Sequence, residues 1–441
     1  MQVLKHVWLF VRTNLWIIPL ALLIAWGLIR FLDPAPPRHL VMTTGTETGA
    51  YHGFARLLAG RLETHGVTLE LRPSQGSLEN LQRLSADNPE VHIGVVQGGT
   101  SELLSRAERN RLQALAALYH EPLWLFQRTG DPVNTLADLH ALRLSVGSEG
   151  SGTWAVAKAL FAEAGEQSRF DALNDGLWQG FSSQDAAAAL QAGDLDAAFM
   201  VLPADHPLIR QLVADPEIEL ADFNQAEALA ARLPYLSQLR IPMGLLDIAN
   251  NLPTRSAQVL SPVATLVVNQ SFHPALATLI LQESREILRD GTLLDPPDAF
   301  PAAAPLDLPL SNEADYYHRN GVPFLQRYLP FWIASLVDRY VVLLIPFIVI
   351  MIPLFRSMGP IYRWRIRARV FRWYGQLRRI DRLILHHQIS AVRDKELANL
   401  HKLEDDLTQV DVPLSYAHEL YTLHLHVRYM INRLESLPAD E

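Results

Sequence analysis

The chain has 441 residues, a formal net charge of −9 and no cysteine. That length holds two or three domains and a sizeable core, and the missing cysteine excludes disulfides, thiolate metal sites and cysteine nucleophiles without excluding an oxidising compartment. The acidic balance is concentrated between two apolar runs, where residues 31–355 carry a net charge of about −15, which excludes nucleic acid as a partner of that part.

The first run, LWIIPLALLIAWGLI from Leu15 to Ile29, follows Lys5 and Arg12 and is extended by Val7, Trp8, Leu9 and Phe10. Together they are about long enough to cross ~30 Å of hydrocarbon with Arg12 or Arg30 snorkelling. RFLDPAPPRHL after the run offers no small-x-small cleavage site, so the segment reads as an anchor and not as a cleaved signal peptide. Residues 1–32 are thus predicted as a cytoplasmic N-terminus and transmembrane anchor, with Pro34, Pro36 and Pro37 opening an extended linker.

Next, short β-like runs trade places with helical patterns: HLVMTT with YHGFARLLAGRL, VTLELRP with LENLQRLSA, VHIGVV with SELLSRA, LRLSVG with TWAVAKALFAEAG, LDAAFMV with ADHPLIRQL. This alternation predicts an α/β protein with parallel-type sheets, and its length requires two lobes. The proline-rich DPPDAFPAAAPLDLPL then reads as a linker toward the second apolar run.

In such sheets ligands bind beyond the carboxyl ends of the strands, against helix N-termini with free amides. Four strand-to-helix turns therefore hold the candidates. TTGTETGAYHG places Gly45 and Gly49 for positive φ, with Thr46 or Thr48 as cap of the next helix. RPSQGSLEN offers Ser77 as N-cap with Asn80 one turn in, and VVQGGTSE puts Gln97 at a strand end. LRLSVGSEGSGTWA sets Ser151 and Thr153 on either side of Gly152. Each turn alone is explained by helix capping, but four together look like opposite walls of a cleft.

A dinucleotide site fits poorly, because Gly150 comes four residues after Val146 where the fingerprint needs a glycine directly at the strand end. No lysine follows the glycines, so a phosphate loop is excluded. His52, His92, His120 and His206 are scattered singly and read as surface or hydrogen-bonded core residues, not metal ligands. With no G-x-S-x-G elbow either, no catalytic residue, metal or cofactor is assigned. Glu47 and Glu121 lie near the turns and read as solvated carboxylates, with a ligand amine as the alternative.

The second run, YVVLLIPFIVIMIPLF from Tyr340 to Phe355, gains reach from FWIASLV and carries Pro346 and Pro353 as expected kinks. Residues 329–356 are predicted to span the membrane. Nine arginines against one acid between Arg356 and Arg382 mark the following flank as cytoplasmic, so both termini face in and residues 33–325 face out. The tail, 357–441, reads as a helical hairpin: Leu377, Ile380, Ile384, Leu400 and Leu407 on one long helix, a break at Val412, Pro413 and Leu414, and a second helix through Leu434.

The series GTETGAYHGFARLLAGRL, SQGSLENLQRL, VHIGVVQGG, LYHEPLWLF, TLADLHALRLSVGSEGSGT, LQAGDLDAAFMVLP and LRIPMG resembles, in order, the TAXI-type solute-binding proteins of TRAP transporters over about residues 39–305. The resemblance implies a bilobal type II periplasmic binding fold with a hinge, lobe I at about 38–125 and 237–305 and lobe II at about 126–236. It also implies a bacterial inner-membrane setting with that domain in the periplasm, a small anionic solute such as glutamate, a dicarboxylate or a keto acid, and a multispanning TRAP permease as partner. By matching position, Gly45, Thr46, Gly49 and Tyr51 would form the first wall, Ser77, Asn80 and Gln97 the floor, and Ser151, Gly152 and Thr153 the far wall. Two departures stand out: Glu47 where the family commonly has glycine, and Val201, Leu202 and Pro203 where it has a glycine-containing turn.

Three functions from different classes follow. A membrane-tethered solute receptor feeding a transporter leads, a ligand sensor passing closure to the cytoplasmic tail is the alternative, and an enzyme in the outer part is the third. Binding without turnover removes the third.

Overall fold

A computed structural model describes residue 15 and residues 17–30, 35–386, 389, 392–408 and 417–436. The described residues fall into two compact units, one within 34–335 and the other formed from the residues on either side of it.

The first unit is built on two sheets. One has the order β2-β1-β3-β12-β4, with β1 His39–Thr43, β2 Thr68–Arg72, β3 Ile93–Gln97, β4 Leu112–His120 and β12 Val263–Asn269. Residue alternation explains how β1 is covered on both faces: Leu40 and Met42 enter a core with Phe54, Leu58 and Leu62 of helix Ala50–Thr64. Val41 points the other way, onto Leu81 and Leu84 of helix Ser77–Ser85.

The second sheet has the order β10-β11-β5-β8-β6-β7, from β5 Leu123–Arg128, β6 Leu144–Ser145, β7 Trp178–Gln179, β8 Ala197–Val201, β10 Ser237–Ile241 and β11 Ala257–Ser261; β9, Ile218–Leu220, pairs with β5 off this path. One face packs Phe161 on Trp178 with ring centroids 4.4 Å apart. The other buries Trp124, Phe126 and Met200.

Both sheets are mixed, not parallel-type as the alternation predicts. Strands β1, β2 and β3 are parallel, as are β6, β7 and β8, but β12 runs antiparallel to β3 and β4, and β5 runs antiparallel to β8 and β11. The cause is topological: the chain passes between sheets twice by strand, from β4 to β5 through Glu121 and Pro122, and from β11 to β12 through Pro262. The two passages are tied to each other, the Glu121 amide donating to the Pro262 carbonyl at 3.0 Å.

This pairing moves the boundary expected at residue 237. Strands β10 and β11 belong to the second sheet, so the return to the first comes at Pro262. The proline-rich segment 295–310 is no free linker either. Ala302 bridges Ala117, Leu310 bridges Ala114, and Phe300 and Leu308 are buried. Its apolar side chains close the first sheet, and helix Asn312–Asn320, capped by Ser311, follows within the same unit.

Helix Phe331–Leu385, which lies in the other unit from Leu336 onward, continues through Pro346, Pro353 and Pro360. Its stretch Leu344–Ile361 is long and apolar enough to cross a membrane, and it is the one such stretch among the described residues. Helix Ile17–Ile29 holds a shorter apolar stretch, Ile18–Gly27; Lys5, Arg12 and the extension from Val7 to Phe10 lie outside the described residues. The tail is not a two-helix hairpin. The long helix ends at Leu385 and another runs Arg393–Thr408, so Leu377 and Ile380 come from a different helix than Leu400 and Leu407. All four pack with Leu423, Val427 and Leu434 of helix Ala417–Glu435 in one cluster. The break expected at Val412, Pro413 and Leu414 lies outside the described residues.

Candidate functional site

The ends of strands β1, β2, β3 and β6 and the helices that follow them carry all ten candidates. In the first turn neither Gly45 nor Gly49 has positive φ, contrary to expectation; the positive-φ glycines of the four turns are Gly76 in the second, Gly99 in the third, and Gly147 and Gly150 in the fourth. Gly49 itself is the N-cap of Ala50–Thr64, with φ −79° and no side-chain bond, so Thr46 and Thr48 do not cap. The turn is closed by backbone instead, the Gly49 amide donating to the Thr46 carbonyl at 2.8 Å. Tyr51, in the first helical turn, lies against Gly45 and donates its hydroxyl to the Glu121 carboxylate at 2.8 Å.

The floor is a buried network. Asn80, fully buried, accepts from the Thr43 and Ser74 hydroxyls at 2.6 Å each and donates to the Val95 carbonyl at 2.8 Å. Those bonds lock helix Ser77–Ser85 to β1 and β3, and the side chain is held as structure. Ser77 is not an N-cap, since Gly76 holds that position without a side-chain bond. Its hydroxyl accepts from the Gln97 amide at 2.9 Å.

Gln97 then reaches the helix that follows β6. Its Nε2 donates to the Gly152 carbonyl at 2.9 Å, and a Cβ at Gly152 would collide with the Gln97 side-chain amide. Only glycine permits this approach. Beside it, Ser151 caps helix Gly152–Glu163 by accepting from the Trp154 amide at 3.2 Å. Buried Thr153 accepts from the Val201 amide at 3.0 Å, joining the helix start to the end of β8. The structure thus brings Tyr51, Ser77, Gln97 and Gly152 into one chain of contacts, while Thr46 stays exposed and Asn80 lies beneath.

Glu121, expected to be solvated, is 6% exposed. Burial pushes its carboxyl up to about 7, against a smaller lowering by the Tyr51 hydroxyl. Burial, followed by the negative charge of Glu121, raises both Tyr51 and Tyr119 well above the ordinary tyrosine value. Tyr119 sits two residues before Glu121 and its buried hydroxyl has no partner. The signal that marks Glu121 in LYHEPLW is a carboxylate between two apolar strands, at a proline that forces a passage. Glu47, by contrast, is exposed. Asp307 also escapes sequence reasoning: burial raises its carboxyl, and its Oδ2 accepts from the Gly99 amide at 2.9 Å, bracing the turn after β3.

The four histidines have structural partners: His92 accepts from the Val41 amide, His120 pairs with Asp295, His206 caps Pro207–Ala214, and His52 meets the Thr44 hydroxyl. Among the described residues no group of acids and histidines is arranged to hold a metal.

The sequence profile described as the NMT1-like family matches residues 42–280. None of the curated proteins matches. Among solved structures, the alkanesulfonate-binding protein from Xanthomonas axonopodis pv. citri bound to MOPS is 16% identical, with 58% of this chain and 75% of that one covered and a TM-score of 0.36. The periplasmic aliphatic sulphonate binding protein from Escherichia coli is 14% identical over 69% and 79%, TM-score 0.36. A TctC solute binding protein from Polaromonas is 14% identical over 59% and 87%, TM-score 0.37.

Proposed function

This chain belongs to the NMT1-like family, which is of the periplasmic-binding-protein type, and on that premise we propose that it is a membrane-tethered solute receptor of a TAXI-class TRAP transporter. In this reading the unit within 34–335 lies in the periplasm of a bacterium and closes its two lobes on a small anionic solute such as glutamate, a dicarboxylate or a keto acid. A multispanning permease receives the solute. The observation that carries the reading is the bond from Gln97 to Gly152. A receptor needs two surfaces that meet around a solute and part again, and here a single side chain of one lobe latches onto helix-terminal backbone of the other. Amides and hydroxyls at such a helix start suit a carboxylate.

The full chain in lipid nanodiscs, titrated with glutamate, succinate and 2-oxoglutarate, tests this. At a hundredfold excess over Kd the bound solute is expected to stabilise the protein by about 2.7 kcal/mol. Gly152→Val abolishes binding with the fold retained, because the new side chain displaces the flexible end of Gln97 and not backbone. No thermal shift with any small carboxylate sinks the reading. The two spans, at residues 15–29 and within 329–361, would set both termini in the cytoplasm; reporter fusions at Ser311 and Glu441 should then report periplasm and cytoplasm.

A second reading is a transmembrane sensor, in which helices Arg393–Thr408 and Ala417–Glu435, packed with Leu377 and Ile380 in one cluster, take the signal. Solute-dependent protection of Arg393–Thr408 from protease supports the sensor; permease-dependent uptake with unchanged protection supports the receptor.

A further inference from the structure

The Glu121 carboxylate is a buried acid with an incomplete set of partners. It stands in the passage between the two sheets, accepts one hydrogen bond, from Tyr51, and among the described residues it forms no ion pair. Its neighbour His120 is engaged elsewhere, with Asp295 at 2.6 Å. Tyr119 brings a buried hydroxyl with no partner, close enough for Glu121 to perturb it. Tyr51 in turn is linked through Ser77 and Gln97 to Gly152 in the opposite lobe.

A buried carboxylate without a counter-ion is costly, and the remedy is a paired cation that is also hydrogen-bonded. Tyr51 already donates to it, so the acid acts as an acceptor here. What the cluster lacks is a positive group with several donors, and an ammonium has three. One serves the carboxylate and another serves the Tyr119 oxygen. The net charge of about −15 over residues 31–355 favours entry of a cationic group as well.

We propose that Glu121, with Tyr51 and Tyr119, is the ammonium subsite of the solute site, so that the preferred solute is zwitterionic, bearing a protonated amine besides its carboxylate. This rests on the receptor reading above and narrows its solute from anions in general to amino-acid-like molecules. A pH dependence follows. The groups that face Glu121 are the phenols of Tyr51, from helix Ala50–Thr64, and Tyr119, from its own strand, with no charged side chain among them. Before binding the carboxyl is about half protonated near pH 7. An ammonium beside it stabilises the ionised form, lowers its pKa and expels the proton. Affinity therefore rises with pH up to about 7 and levels off above, falling by up to about tenfold per unit below.

Calorimetric titration of the full chain in nanodiscs with matched pairs tests the assignment: L-glutamate with 2-oxoglutarate, L-aspartate with oxaloacetate, L-alanine with pyruvate. For the pair that fits, the amino acid is expected to bind at least about tenfold tighter than its oxo acid at pH 8, with the advantage shrinking at pH 6. Titrations at pH 7 in buffers of different ionisation enthalpy should show release of about half a proton, a readout that needs no variant. Glu121→Gln is expected to remove the preference for the amino acid over its oxo acid. An oxo acid bound as tightly as its amino acid, or proton uptake on binding, overturns the ammonium subsite while the receptor reading stands. Silence from every pair overturns both.

Discussion

Around the first sheet, polar side chains turn inward: Asn80 is consumed by Thr43, Ser74 and Val95, and Ser77 by the Gln97 backbone. Around the second sheet, Ser151 and Gly152 stand half-buried at a helix start and offer backbone and a cap. The residue types are alike, hydroxyls and amides near glycine, yet one set builds a rigid floor and the other a surface to be approached. The contrast teaches that the first set fixes the frame from which Gln97 reaches the Gly152 carbonyl, while the second set contributes its main chain to that contact.

Breaking the floor is expected to give the largest effect. Asn80→Ala removes three buried hydrogen bonds, from Thr43, from Ser74 and to Val95, and leaves a cavity, and should cost about 4 kcal/mol of stability in chemical denaturation, with solute affinity of the folded fraction little changed. A large affinity loss at small stability cost would show that Asn80 belongs to the solute surface and would erase the contrast.

The second effect, of opposite sign, sharpens it. Folding raises the Glu121 carboxyl from 4.5 to about 7, so the folded state holds a proton the unfolded chain releases. Its contribution is intact below about pH 4.5, fades between 4.5 and 7, and is lost above. The neutral variant Glu121→Gln avoids that loss, keeping an acceptor for Tyr51. It should be more stable than the natural protein by about 3 kcal/mol at pH 8 and equal to it at pH 4, measured by paired urea melts. Equal stability at pH 8 would mean that the carboxylate already has a partner there.

The smallest effect tests the far wall. Ser151→Ala removes a cap bond and should lower stability by about 1 kcal/mol in thermal melts. If its hydroxyl also touches solute, affinity falls by about 0.5–1.5 kcal/mol in addition, read by calorimetry on the same samples.

What the sequence made legible is what depends on near neighbours. Strand and helix alternation from His39 to Val201, the apolar run from Tyr340 to Phe355, which overlaps Leu344–Ile361, and the cap at Ser151 all follow from local periodicity or residue type. The mixed sheets did not show, because the direction of β12 beside β3 and β4 is settled only when the chain returns through Pro262. Asn80 reads the same in sequence whether it binds a solute or three buried atoms. Glu121 looked solvated because its burial depends on Tyr51, 70 residues earlier, and on Pro262, far later in the chain. The proline-rich stretch looked like a tether because proline signals a break, whereas Phe300 and Leu308 decide where it lies.

The bond from the Glu121 amide to the Pro262 carbonyl makes one ribbon of two crossings. The bond sets the passage from β4 to β5 and the passage from β11 to β12 side by side, so that the two sheets share a pair of adjacent crossings. Atoms on the axis of a swing keep their neighbours at every angle. On the receptor reading proposed above, a solute held at Glu121 would sit beside these paired crossings, where a swing of one lobe against the other would displace it least.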